Sequence, residues 1–209
     1  MARAPSFAGV VLAAGESSRM GRDKALLEWR GHSFLEAMLD LLAPHTQLSI
    51  VVAGKNAESL APIVYAQAGF LTVNPRPELG QFSSLQVGLQ EVLNRGRDAA
   101  VVALVYRPPC GAATLERLLG EFAEACLKGK WAVVPEYAGK HGHPIVVGRE
   151  MIEAFLKAPA TSSAREVEHS LADRILYLAV EDPLIAVNVD TPEDYERLTT
   201  AQAGASSKK

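Results

Sequence analysis

The chain has too few cysteines to be held together by them. Cys110 and Cys126 stand alone, at no metal-ligand spacing and in no disulfide framework, so a reducing cytoplasm is the expected setting. It is also short of net charge: 21 Lys and Arg against 24 Asp and Glu leave -3, which gives no general attraction to nucleic acid. Any polyanion must then be held by a local cluster, and Arg19, Arg22 and Lys24 form one. No apolar run approaches the roughly 20 residues of a membrane span, and Arg3 is followed directly by strand-like sequence. Neither a membrane nor export is expected. Repeats and linker-like stretches are missing too. What remains is a globular composition, 48% hydrophobic over 209 residues, enough for one substantial core. Residues 1–200 read as a single domain and 201–209 as a frayed tail.

The chain is organised around residues 9–24, Gly-Val-Val-Leu-Ala-Ala-Gly-Glu-Ser-Ser-Arg-Met-Gly-Arg-Asp-Lys. Val10 to Ala14 has the unbroken apolar character of a buried parallel strand. Gly15 and Gly21 then permit backbone angles closed to other residues, and Ala13, Ala14, Ser17 and Ser18 let a ligand approach the main chain. Arg19 adds a planar fork of donors and Lys24 a mobile point charge, a pair suited to a polyphosphate. Two better-known phosphate loops are excluded. A P-loop needs Gly-Lys followed by Ser or Thr, whereas Gly21 and Lys24 are separated and Ala25 follows. The three closely spaced glycines of a dinucleotide fingerprint are absent.

Ser33-Phe34-Leu35-Glu36 has the form of a capping box opening a helix through about residue 43. Strands are expected at 48–53 and 70–73, with a weaker helix at 58–68 between them, interrupted early by Pro62. This alternation implies right-handed crossovers and a parallel sheet covered on both faces. Ser83 or Ser84 serves as the N-cap of a helix reaching about Asn94. Residues 99–105 form the most hydrophobic strand, placed at the centre. A helix at 114–127, a strand at 131–135, a tight connection at 137–144 and a strand at 145–147 follow. Within that connection His141 and His143 alternate with no third ligand nearby, so a turn is preferred to a zinc site. Helices at 150–157 and 163–172 and a strand at 175–180 complete the regular pattern. Near the end, Thr191 and Pro192 open a last helix. Asn188 and Asp190 alternate on an extended segment before it and so project from one face.

The run Leu-Ala-Ala-Gly-x-Ser-x-Arg-Met-Gly-x-x-Lys at residues 12–24 resembles, residue for residue, the signature of the nucleotidyltransferases with a MobA-like fold. Four motifs follow the family's order between residues 9 and 198. Asn74 with Gly80 to Leu85 resembles the segment that lies against the base in pyrimidine-using members, which makes Asn74, Gly80 and Ser84 candidate nucleotide contacts. Gly142-His143-Pro144 resembles the family's segment beside the acceptor, which makes His143 an acceptor contact. Asn188-Val189-Asp190-Thr191-Pro192 resembles its second metal-binding motif. The first metal-binding motif is broken. Relatives have Asp-x-Pro after the central strand, and this chain has Tyr106-Arg107-Pro108-Pro109, where a phenol replaces the compact anion that magnesium prefers.

The resemblance implies a three-layer α/β/α, Rossmann-like fold with a mostly parallel central sheet. It is greatest to the molybdenum cofactor cytidylyltransferases, and so implies transfer of a nucleotidyl group from CTP, or another NTP, to a pterin or other phosphorylated acceptor. Leu12, Ala13, Ala14 and Gly15 would face the nucleotide, Arg19 and Lys24 would hold its triphosphate during catalysis, and Asn188 and Asp190 would hold Mg2+. A molybdoenzyme or its chaperone would be the protein partner. Two alternatives stay open: a sugar- or alcohol-phosphate nucleotidyltransferase, and a nucleotide- or cofactor-binding protein weakened in catalysis at Tyr106. Asp98 or a water is the substitute ligand that would preserve activity.

Overall fold

Burial of alternate side chains on opposite faces explains the apolar run at the start of the chain. In β1 (Phe7–Leu12) Val10 and Leu12 enter one core while Val11 enters another, so a strand covered on both sides needs no polar face. The computed structural model describes residues 5–206, and the readings at residues 1–4 and 207–209 lie outside the described residues. After β1 come β2 (Glu28–Trp29), β3 (His32–Ser33), α1 (Phe34–Leu42), β4 (Leu48–Ala53), α2 (Ala57–Ala66), β5 (Phe70–Val73) and α3 (Gln81–Asn94). The second half holds β6 (Ala99–Leu104), α4 (Ala112–Leu127), β7 (Ala132–Tyr137), β8 (Lys140–His141), β9 (Ile145–Gly148), α5 (Arg149–Lys157), α6 (Ala164–Ser170), β10 (Ile175–Ala179) and α7 (Pro192–Ser206). Among the described residues no helix is long and apolar enough to cross a membrane.

The main sheet runs β10-β7-β9-β6-β1-β4-β5, with β8 attached to β7. It is mostly parallel, as expected: β1 pairs in parallel with β4 and β6, β4 with β5, and β7 with β10. The exceptions are β8, antiparallel to β7, and β9, antiparallel to both β6 and β7, because the connections from β7 are too short for a crossover. Helices α1, α2 and α4 cover one face and α3 and α5 the other, giving three layers. Every residue of β6 is buried, which fits its central place. α3 lies so close to the sheet that a methyl added at Gly88 would stand 2.6 Å from Val10 and 2.9 Å from Val52.

Several expectations change in detail. Pro62 sits inside α2 without ending it, since a proline there removes only one backbone bond of the helix. α3 starts earlier than expected: its N-cap is Gly80, at φ 93°, and no side chain caps it. Ser83 instead donates to the Gly80 carbonyl at 2.7 Å. The capping box at Ser33 and Glu36 is present, with bonds of 3.1 and 2.7 Å. α7 continues to Ser206, past residue 201 where the tail was expected to begin. Asn188 and Asp190 lie on irregular chain after a short 3-10 turn, with the Val189 amide bonded to the Tyr106 carbonyl at 2.9 Å. Val189 points into a third core with Met20, Leu27, Trp29, Phe34 and Leu198. That small core draws the segment carrying Asp190 against the loop after β1.

Candidate functional site

Beyond the carboxyl ends of β1 and β6 the chain turns to opposite sides along the sheet, from β1 through α1 to β4 and from β6 through α4 to β7. Such a switch point is where ligands settle in open α/β sheets. A cavity of about 450 Å³ lies there. Its wall includes Leu12, Ala14 and Gly15 from β1 and its loop, Arg19 and Lys24, Gly80, Gln81 and Ser84 at the start of α3, Tyr106 after β6, and Asn188 and Asp190. Residues from four distant stretches of sequence thus meet in one space.

The loop after β1 is built from within. The Ser17 carbonyl accepts from the Met20 and Gly21 amides at 2.9 and 3.2 Å, with Ser17 itself at φ 51° and Gly21 at φ 72°. Ser17 Oγ accepts from the Lys24 amide at 3.1 Å. Asp23 opens the 3-10 turn Lys24–Leu26, its Oδ1 accepting from the Ala25 amide at 2.9 Å. The amides of residues 15–19 have no hydrogen-bond partner among the described residues. They are donors at the edge of the cavity, a natural cradle for anionic oxygens.

Three charged groups converge at the cavity's other wall. Lys24 Nζ is 2.6 Å from Asp190 Oδ1, and Arg19 Nη2 is 3.5 Å from the same oxygen. The Lys24 side chain is only 12% exposed while that of Arg19 is 70% exposed, so Lys24 is the anchored cation and Arg19 the reaching one. Lys24 Nζ also lies 5.3 Å from the centre of the Tyr106 ring. Tyr106 donates its hydroxyl to Gln81 Oε1 at 3.3 Å. The backbone of Asp190 is fixed by its neighbour: Asp194 Oδ2 accepts from the Asp190 and Thr191 amides at 3.1 and 3.0 Å. The Arg197 guanidinium first, and then these amides, hold the Asp194 carboxyl down at about 2.

Asn188 and Asp190 both line the cavity, and a carboxamide and a carboxylate carry hard oxygen donors of the kind that suit a small divalent cation whose other ligands are waters and phosphates. The donor set fits such an ion. It is sparse, because among the described residues no group of three or more His, Cys, Asp and Glu comes together. Asp98 does not fill the gap. It accepts from Ser6 N and Oγ at 3.0 and 2.6 Å before β6 begins, at the opposite end of that strand from Tyr106.

Three expected site residues stand outside the cavity wall. The Ala13 carbonyl accepts from Asn56 Nδ2 at 2.9 Å. Asn74 is buried and donates to Ser83 and Ser84 Oγ at 2.8 and 2.9 Å, while its own oxygen accepts from the Arg76 amide. It braces the start of α3, and Ser84 presents itself to the cavity from that brace. His143 lies behind, its Nδ1 3.4 Å from the Val102 carbonyl and its amide bonded to the Ile185 carbonyl at 3.0 Å. Burial first and the Arg107 charge second push its imidazole down to about 3, so it stays uncharged. His141 has different company, stacked on Tyr177 with ring centres 4.1 Å apart. Sequence reasoning missed Gln81 and Asn56, and took Ser17 only as a small residue that lets a ligand approach. Only Asn56 left a signal, since Gly54-Lys55-Asn56 is a turn at the carboxyl end of a strand beside the nucleotide loop.

The chain is similar to known proteins over nearly its whole length. Residues 9–175 match the family described as a MobA-like NTP transferase domain. The molybdenum cofactor guanylyltransferase of Xanthomonas euvesicatoria pv. vesicatoria (strain 85-10) is 33% identical over 195 residues, covering 92% of this chain and 94% of its own. The molybdenum cofactor cytidylyltransferase of Escherichia coli (strain K12) is 23% identical over 194 residues, covering 89% and 92%. Among solved structures, Rv0371c from Mycobacterium tuberculosis H37Rv superposes with a TM-score of 0.80 at 29% identity, over 94% of this chain and 98% of that one. The same protein has been solved in complex with manganese, and that structure matches at a TM-score of 0.75 and 26% identity over 92% and 97%. A family match from within β1 to the start of β10, joined to 33% identity along nearly the whole length, places this chain in the MobA-like NTP transferase family.

Proposed function

We propose that this chain transfers a cytidylyl group from CTP to the phosphate of a pterin acceptor of the molybdenum cofactor type, releasing pyrophosphate. The observation that carries the reading is the cavity itself. It brings Lys24, Arg19 and the edge of the loop with its unpartnered amides to the same space as the start of α3 and the Asn188–Asp190 segment. An oxygen of the acceptor phosphate forms a bond to the α-phosphorus as the bond from that phosphorus to the bridging oxygen breaks. The electron pair departs on pyrophosphate. No protein nucleophile is needed, because this chemistry is positioning and charge neutralisation. Lys24 and Arg19 exchange Asp190 for the phosphates, and the amides of residues 15–19 receive further oxygens. Asn188 and Asp190 would hold a divalent ion, magnesium in this reading, which when bound neutralises charge on the triphosphate oxygens. The manganese complex of Rv0371c supports a divalent ion, and the relatives named for molybdenum cofactor support the acceptor.

The base is argued from Gly80 and Ser84, which line the cavity at the start of α3 and belong to the segment that resembles the one beside the base in pyrimidine-using members. A second reading is favoured by Tyr106 alone: nucleotide is bound and turned over slowly or not at all. One assay separates the readings. The chain is incubated with each of the four NTPs, magnesium and a pterin phosphate, a sugar phosphate or an alcohol phosphate, and pyrophosphate is measured. CTP with the pterin should release the most. Release with GTP alone would transfer the base assignment to guanine, and binding without release would leave the second reading. Absence of both binding and release would contradict the proposal.

A further inference from the structure

Asn56 is not itself part of the cavity wall, yet its carboxamide holds both ends of the loop that is. Its Nδ2 donates to the Ala13 carbonyl at 2.9 Å, where the loop begins, and to Asp23 Oδ2 at 2.7 Å, where it ends. Its Oδ1 accepts from the Gly54 amide at 3.0 Å, which fastens the side chain to the carboxyl end of β4. The approach is close: a methyl added at Gly54 would stand 2.8 Å from the Ala14 carbonyl oxygen. Asp23 passes the restraint on. One of its oxygens is tied to Asn56, and the other accepts from the Ala25 amide in the turn that Lys24 opens. Lys24 Nζ then reaches Asp190 at 2.6 Å.

We infer that Asn56 is a positioning residue for nucleotide binding, acting through Asp23 on the direction of Lys24. The inference rests on the proposed function above. Nine residues lie between Ala13 and Asp23, and a loop of that length with two left-handed residues has many arrangements of similar energy unless its ends are fixed. Fixing both ends to one carboxamide selects the arrangement in which Lys24 faces the cavity. Losing the carboxamide leaves the Lys24 charge in place but spreads it over many directions.

A double-mutant cycle tests this. The affinity for magnesium CTP, or for whichever NTP binds tightest, is measured by calorimetry in the wild type, Asn56→Ala, Lys24→Ala and the double variant, with circular dichroism confirming the fold of each. Asn56→Ala should weaken binding about tenfold in the wild-type background and less than about threefold when Lys24 is already absent, because coupled residues are non-additive. A loss that arose only from a looser fold would be the same in both backgrounds, and equal effects overturn the inference. An unchanged affinity in Asn56→Ala overturns it as well. If Asn56→Ala does not fold, Asn56→Ser, which keeps a shorter donor, takes its place in the cycle with the same outcomes. A wild type that binds none of the four NTPs removes the functional reading and this inference together, whereas binding with additive effects removes this inference alone.

Discussion

Tyr106 sets a ring and a hydroxyl beside Lys24 and Gln81 where the family motif calls for a carboxylate. A carboxylate there would stand near Asn188 and Asp190 on the same wall and complete an oxygen-donor set for a hard cation. Tyr106→Asp should therefore raise magnesium-dependent pyrophosphate release at least about tenfold, equivalent to roughly 1.4 kcal/mol of barrier. An unmodified chain that already turns over at about 1 per second or faster, with the Asp variant no quicker, would show that the motif is complete without an acid. This departure was legible from the sequence because the flanking Pro108 kept the register. So were Arg19, Lys24 and Asp190, since cations after a small-residue loop and an acid before Thr-Pro are local patterns. The brace that Asn74 makes with Ser83 and Ser84 was not, because a buried amide bracing two serines is written in the same letters as one that meets a base. Nor was the place of His143, which depends on Arg107 and on a carbonyl of a strand about forty residues away.

Among the elements, α3 joins the fold to the site. Its first turn lines the cavity with Gln81 and Ser84, and its middle is pressed onto β1 and β4 at Gly88. Gly88→Ala gains about 0.5–1 kcal/mol of helix propensity. It also forces a methyl within 2.6 Å of Val10, and such overpacking costs about 1–3 kcal/mol. Crowding should win. The variant is expected to melt several degrees lower, about 2–4 °C for each kcal/mol in a chain of this size, and a melting temperature equal to or above the wild type would count against so close a packing. The strands at 48–53 and 70–73 were readable because their apolar runs are bounded by turns. The start of α3 was not, since its N-cap is a glycine with no side chain to announce it and the serines nearby have other partners. The reversal of β9 could be read only from the shortness of the connection before it.

For the whole molecule, the three-layer arrangement followed from strands and helices alternating along the chain, whereas the meeting of residues 12–24 with 188–190 needed the third core around Val189 to be seen. Stability of that whole is expected to depend on pH through two groups. Burial pushes the Glu168 carboxyl up from 4.5 to about 7. The folded protein thus keeps a proton that the unfolded chain releases, so the stability this group contributes is full below about 4.5 and is lost as pH rises through about 7. His143 works in the opposite sense. Its ordinary 6.5 falls to about 3, so its contribution is full above 6.5 and is lost as pH falls toward 3. Glu168→Gln should accordingly gain melting temperature relative to the wild type at pH 8 compared with pH 5, and an equal difference at the two values would contradict the buried acid. The central claim is that the cavity beyond β1 and β6 receives a nucleoside triphosphate on Lys24. Titration calorimetry of magnesium CTP into the wild type and Lys24→Ala tests it most directly. The account expects saturable binding by the wild type and an affinity at least about tenfold lower in the variant, the loss of roughly 1.4 kcal/mol or more. Equal affinities, or no binding of CTP or GTP by the wild type, would contradict it.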